Sequence, residues 1–320
     1  MRIAELGGEF ALIKRLTGES QDPAVIKGVG DDCAVVEYTQ EKYLLITVDM
    51  MVEDDHFTLA WHTPFQIGRK LMESNVSDIL AMGGSPSWAF LSLSLKTDTT
   101  VEFMEELYRG LYDSAARHEV SLIGGDTTHG CEMTLSLTVI GEVEKSMLRL
   151  RSDDVPGDFI CVTGTLGKSE AGLRLLKRGV RDGYVQGHLE PHCRTREEAM
   201  AIARHAHAMI DVSDGLGSEV RHICEESGTG AQIDWERIPI SIDTLQMAQL
   251  LQEESQEYAL YGGEDFELVF TIPPENIAKL KEEFSDFTVV GEILPKPEGL
   301  HLLKEGNMVA MRGGYDHFAS

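Results

Sequence analysis

Seven aspartates in this sequence stand where an apolar run ends or where glycine permits a sharp turn. Asp31 and Asp32 lie in GVGDDCAVV, Asp49 ends LLITVD, Asp78 lies in SNVSDILAMGG, Asp126 lies in SLIGGDTT, and Asp211 and Asp214 lie in IDVSDG. Aspartate in a turn is common, so each alone says little. Together they repeat one device, in which a strand or helix delivers a carboxylate to a turn. Converging carboxylates repel by roughly 1 to 4 kcal/mol per close pair at intermediate dielectric, which bound cations relieve. Hard oxygen ligands select Mg²⁺ or Ca²⁺, and Mg²⁺ commonly shares the phosphates of a substrate. The residues alone therefore predict a Mg²⁺–nucleotide enzyme.

The elements that must carry these carboxylates are a mixture of helices and strands. Phe10, Ile13 and Leu16 predict a short opening helix, and two strand-like runs, GVGDDCAVVEY and KYLLITVDMMV, follow. Residues 64–82 read as a helix with Pro64 in its first turn and Asn75 and Asp78 on one side. AFLSLSLK alternates as a half-buried antiparallel strand, Thr99 with Glu102 forms a capping box, and SLIGGD and MTLSLTVIGEV are strands. Pro156 and Gly157 punctuate a change of composition, and the boundary between two domains, 1–148 and 149–320, is placed just before it. The second half restarts with a strand, FICVTG, a glycine turn and a helix, and a helix is expected over 242–254. Strands and helices with antiparallel signals in both halves predict an α+β fold of two domains rather than one doubly wound sheet.

Composition limits the partners. The chain has 320 residues and a net charge of −26, with no basic excess to neutralise phosphates, which argues against nucleic acid or an anionic membrane. A phosphorylated substrate must then arrive with metal or find a local basic site. The five cysteines have no zinc-type spacing and read as free thiols of a reducing cytoplasm. Glu5 and Glu9 interrupt the first apolar stretch, unlike a signal peptide, and no run reaches the roughly 18 apolar residues of a membrane span. A cytoplasmic location is expected.

Other motifs are weaker. TGTLGKS ends like a P-loop, but the first glycine of G-x-x-x-x-G-K-S would fall at Val162. A glycine turn entering a helix is the simpler reading, with backbone N–H groups at the helix start able to face an anion. The His188/His192 and His205/His207 pairs are not assigned a metal, and no acid–base or nucleophilic arrangement stands out. Glu264 and Asp265 in GGED suit a polar pocket wall or a turn.

Taken in order, GVGDDCAVV, TVDMMVEDDHF, SNVSDILAMGG, SLIGGDTT, VTGTLGKS, IDVSDG, YGGEDFELVFT and the terminal GYDHF resemble the thiamine-monophosphate kinase family. That family belongs to an ATP-binding superfamily with aminoimidazole ribonucleotide synthetase and selenophosphate synthetase. The resemblance implies a homodimer in which four-stranded N-terminal sheets pair into a barrel. It implies transfer of the ATP γ-phosphoryl to thiamine monophosphate, giving thiamine diphosphate, with several Mg²⁺ ions between the acidic motifs and the phosphates. By motif position it implies metal contacts at Asp31, Asp32, Thr47, Val48 (through its backbone), Asp49, Asp78, Asp126, Asp211 and Asp214. It implies ATP contacts at Tyr112, Gly125, Asp126, Arg151 and Ser213, and substrate contacts at His56 and Glu264. A C-terminal aromatic contact of the family falls near Arg312, with Tyr315 as its replacement.

Two other classes stay open. Selenophosphate synthetase would want a cysteine among residues 1–25 and the hydrogenase-maturation relative a C-terminal one, and neither is present. Aminoimidazole ribonucleotide synthetase, or a nucleotide-binding sensor without turnover, is separated only by assay.

Overall fold

The computed structural model describes residues 2–18, 20–181 and 183–312. Two short helices, α1 (Ile3–Leu6) and α2 (Glu9–Leu16), open the chain. The amphipathic α2 is not buried: Leu16 is 74% exposed, and Phe10 rests against His222 instead of entering a core.

A six-stranded sheet follows, made of β1 (Val25–Lys27), β2 (Ala34–Glu37), β3 (Lys42–Val52), β4 (Ser85–Leu95), β5 (Ser121–His129) and β6 (Thr134–Glu144) in the order β1-β2-β3-β6-β4-β5. The sheet is thus wider than the four strands the resemblance implied. Its pairs are antiparallel except β4–β5, so AFLSLSLK has one antiparallel and one parallel neighbour. Alternation sorts its faces. Leu45, Met51, Ala89, Leu91, Leu135, Leu137 and Val139 are buried on one side, while Val48, Met50, Trp88 and Phe90 are exposed on the other.

The buried face is covered by α3 (Pro64–Ala81), which packs beside α4 (Val101–Arg117). These helices approach closely because Gly68 and Gly110 face the partner backbone: a Cβ on either would lie within 2.0 Å of a carbonyl oxygen of the other helix. The α4 cap is one residue later than expected. Thr100, rather than Thr99, accepts the Phe103 N–H.

The second sheet contains β7 (Phe159–Thr163), β8 (Met209–Asp211), β9 (Gly230–Asp234), β10 (Leu268–Ile272), β11 (Phe287–Leu294), β12 (Leu300–Lys304) and β13 (Asn307–Ala310), ordered β13-β12-β9-β11-β7-β10-β8. Around it lie α5 (Lys168–Lys177), α6 (Gln186–Leu189), α7 (Arg196–Ala203), α8 (Leu216–Ser227) and α9 (Ile242–Leu251). The last stops short of residue 254 because Gln252 turns left-handed at its C-cap. Ile160, Val162, Ile210 and Val269 face Leu216, Val220 and Ile223 of α8 in one core. On the opposite side, Cys161, Met209 and Phe270 join Leu45, Leu71 and Leu137 of the first half in a single continuous core.

Candidate active site

Helix α3 is the axis of the site. Thr63 and Gln66 close a capping box at its start, with Pro64 in the first turn. The helix is buried on nearly all sides, so its polar residues must satisfy one another or their neighbours. Lys70, Glu73, Asn75 and Ser77 are each at most 1% exposed. The second half of β3 lies alongside, running on to Val52 rather than ending at Asp49: Asp49 N–H donates to Asn75 Oδ1 (3.1 Å), and Thr47 Oγ1 donates to Asp78 Oδ2 (2.5 Å). From the second sheet, β8 ends at Asp211, whose Oδ2 accepts from Ser77 Oγ (2.6 Å). The turn before β2 supplies Asp31 and Asp32. One carboxylate oxygen from each of Asp32, Asp78 and Asp211 lies within 4.8 Å of the others.

These groups lack enough positive charge. Arg151 donates to Asp32 through its guanidinium and to Asp31 Oδ2 through its backbone N–H (3.3 Å), and Lys27 is 3.9 Å from Asp31. Burial, then the charge of Asp32, pushes Asp31 up to about 7 and Asp211 up to about 8. Burial, followed by the charges of Asp49, Asp211 and Asp32, raises Asp78 well above the carboxylate range. Asp49 is raised by burial and, against a Ser74 hydrogen bond, by Asp32. Asp32 Oδ2 is buried with no hydrogen-bond partner. An orphaned oxygen among three carboxylates is the donor set a hard divalent cation requires.

Beside the cluster opens a cavity of about 700 Å³, lined by Asp49, His56, Lys70, Ser213, Asp214 and Glu264 among others. Lys70 is the functional candidate that sequence reasoning missed. Its ammonium is 2.6 Å from Glu264 Oε1 and donates to the His56 carbonyl (3.0 Å), so it joins both residues matched to the substrate. A signal existed: Lys70, Ser74, Ser77 and Asp78 follow helical spacing along one face. His56 Nδ1 accepts from Val52 N–H (3.3 Å) and faces Asp55 at 3.6 Å. Glu264 adopts a left-handed φ of 65°, held by its N–H bond to Ser213 O (2.8 Å).

Val48 turns its side chain onto the opposite, exposed face of the sheet, so only its backbone, between Thr47 and Asp49, lies beside the cluster. Other matched positions stand apart. Asp126 pairs with Ser92 in the β4–β5 ladder, on the edge strand, and is exposed with Gly125. Three strand spacings separate β3 from β5 in the sheet order, about 14 Å. Asp126 therefore does not join the cluster within one chain. Tyr112 is half exposed on α4, against Tyr108. Arg312 lies over Tyr261, 4.5 Å from the ring centroid, whereas Tyr315 and the GYDHF ending lie outside the described residues.

The P-loop-like turn has its own anion. Asp265 accepts the N–H groups of Gly167 (2.5 Å) and Ser169 (3.1 Å) at the start of α5. The expected anion site is thus filled by an internal carboxylate rather than open to phosphate.

Two sheets sharing a core, with carboxylates brought together from β3, α3 and β8, define the class. Residues 30–143 match the family "AIR synthase related protein, N-terminal domain", and residues 155–302 match the corresponding C-terminal domain. Within that class, the thiamine-monophosphate kinase of Escherichia coli (strain K12) is 36% identical over 98% of this chain and 99% of its own. That of Bacillus subtilis (strain 168) is 35% identical over 97% and 99%. The solved structure of AaThiL complexed with AMPPCP and TMP superposes with a TM-score of 0.87 at 33% identity, over 99% of both chains. The chain belongs to the thiamine-monophosphate kinase family.

Proposed function

We propose that this chain transfers the γ-phosphoryl group of ATP directly to the phosphate of thiamine monophosphate, giving thiamine diphosphate and ADP. The observation that carries the reading is the buried carboxylate cluster, with its orphaned Asp32 oxygen, opening beside a cavity that holds Lys70, His56 and Glu264. The cluster would hold Mg²⁺, which would supply positive charge to offset the charge that develops during transfer. Asp32, Asp78 and Asp211 would hold it, with Asp31, Asp49 and Asp214 at the margins and Thr47 fixing Asp78. The acceptor is itself a phosphate oxygen, largely ionised near neutral pH, so no side chain need remove a proton. What the residues supply is position. Lys70 and His56 would meet the substrate phosphate, and Arg151 and Ser213 the nucleotide. The acidic wall of Glu9, Asp54, Asp55 and Glu170 suits a cationic thiazolium.

A homodimer completes this reading. The exposed apolar face bearing Val48, Met50, Trp88 and Phe90 suits pairing of two such sheets. Asp126 and Gly125 lie at the edge of that face, where they would serve a neighbouring chain's site. The division into units 1–148 and 149–320 rests on the two sheets, which occupy residues 25–144 and 159–310. A cytoplasmic location rests on five free cysteines and on the absence, among the described residues, of a helix long and apolar enough to cross a membrane.

The test is ADP release from Mg²⁺–ATP with and without thiamine monophosphate, with direct detection of thiamine diphosphate. Acceptor-dependent ADP matched by thiamine diphosphate is expected. ADP without thiamine diphosphate would redirect the assignment to purine-type acceptors. Phe90→Glu should convert a dimer to a monomer in sedimentation; an unchanged mass would remove the outer face from the interface.

A further inference from the structure

Around α3, about 140° from Asp78 at 100° per residue, lies a second buried cluster that phosphoryl transfer does not use. Glu73 is fully buried, His118 is the C-cap of α4, and Cys193 arrives from the segment between α6 and α7. His118 Nε2 is 3.3 Å from each Glu73 oxygen and 3.6 Å from Cys193 Sγ. One ligand atom from each residue lies within 4.8 Å of the others. The spacing from His118 to Glu73 is long for a charged carboxylate's hydrogen bond, which runs about 2.7–2.9 Å. It matches the edges of a tetrahedron around zinc: bonds of about 2.3 Å to sulfur and about 2.0–2.1 Å to nitrogen or oxygen separate S from N by about 3.6 Å and N from O by about 3.3 Å.

The supports of a metal site are already in place. Ser114 Oγ donates to Glu73 Oε1 (2.7 Å) and Cys193 N–H donates to Oε2 (2.8 Å), fixing the carboxylate as groups behind a metal ligand do. Burial opposes ionisation of Glu73, yet hydrogen bonds from His118, His192 and Ser114 hold it well below the usual range. Burial and then the charge of Glu73 raise the Cys193 thiol well above its usual value. The charged neighbour is Arg117, 3.5 Å from Glu73 Oε1 and bonded to Cys193 O and His192 Nδ1. A thiolate and a carboxylate cancel the charge of a divalent ion, so Arg117 would face a neutral centre. His192, half exposed beside it, has its Nδ1 3.9 Å from Glu73 Oε1, and a water would complete the coordination on that side.

We propose that Glu73, His118 and Cys193 form a tetrahedral site for a soft divalent cation of the zinc class, which staples α3 and α4 to the segment after α6. On binding, the Cys193 S–H bond breaks, a metal–sulfur bond forms, and the proton passes to solvent. Sulfur and imidazole donors distinguish this site from the all-oxygen cluster used for Mg²⁺.

Cobalt(II) titration of the full chain in saturating Mg²⁺ tests this. The expected result is one equivalent bound, with thiolate-to-cobalt charge transfer and tetrahedral d–d bands that zinc displaces. The charge transfer should vanish in the near-isosteric Cys193→Ser, weaken at least about tenfold in affinity in His118→Gln, and persist in Cys33→Ser, the thiol nearest the aspartates. Zinc should also raise the melting midpoint of the wild type but not of Cys193→Ser. Absence of the charge-transfer band in the wild type, or a band of equal strength in Cys193→Ser, overturns the proposal. The outcome is independent of kinase activity, because the readout is the metal spectrum.

Discussion

Helix α3 carries two kinds of buried acid, and they behave in opposite ways. Asp78, with Asp32 and Asp211 across from it, is raised by burial and by its fellow carboxylates. Glu73, on the same helix and fully buried, is held well below the usual carboxylate range, against its burial, by hydrogen bonds from His118, His192 and Ser114. Burial is common to both, so burial does not decide charge. The neighbours do: where donors surround a carboxylate it stays ionised, ready to join an imidazole and a thiol around a soft cation, and where other acids surround it the group holds its proton until a hard cation replaces it.

Asp211→Asn should lower turnover by roughly 10²–10³-fold, as loss of one transition-state charge contact does, while circular dichroism stays native. Wild-type turnover would remove Asp211 from the reaction. Glu73→Gln should do the reverse, costing about 1–3 kcal/mol of stability through an imperfectly matched network with kcat nearly unchanged. Equal stability by urea denaturation would mean the donors around Glu73 are not satisfied by it. Lys70→Met should raise KM for the phosphate acceptor about tenfold, or ~1.4 kcal/mol, with a smaller change in kcat; an unaltered KM would confine Lys70 to a structural role. The smallest effect is in pH. Without divalent cations the native state binds more protons than the unfolded chain between the ordinary aspartate value and the raised ones, about 7 for Asp31 and about 8 for Asp211. Stability should therefore fall as pH rises from about 4 to about 8, read as a falling melting midpoint. Asp211→Asn or added Mg²⁺ should flatten the slope, and a rising slope would reverse the assignment.

Much of this site was legible before the fold. LLITVD and IDVSDG read as carboxylates at strand termini: β8 does end at Asp211, whereas β3 runs on past Asp49 to Val52, so Asp49 stands within the ladder opposite Leu137. The half-in, half-out pattern of the first sheet was equally plain. Less legible was what depends on pairing. Asp126 shares its glycine-flanked setting with the others, but its place on β5, three strands from β3, separates it from the cluster. Thr99 and Thr100 offer the same hydroxyl, and only the start of α4 chooses between them. Lys70 and Glu73 were hidden because a charged residue in a helix reads as solvent-facing until its neighbours are known. GKS suggested an anion at a helix start, but Asp265, nearly a hundred residues on, supplies one from within the chain.

The apolar core that runs from Leu45 and Leu137 through to Cys161 and Phe270 bears on how the molecule can move. Two lobes joined only by a polar seam can swing about a hinge to admit a ligand. Lobes fused by a shared interior would have to hydrate that interior to do so, and each exposed leucine-sized side chain would cost about 1.5–3 kcal/mol. Ligands must instead enter with the frame closed, through loops and side chains at the cavity mouth. Calorimetry should accordingly record one melting transition for the whole chain, not one for each sheet.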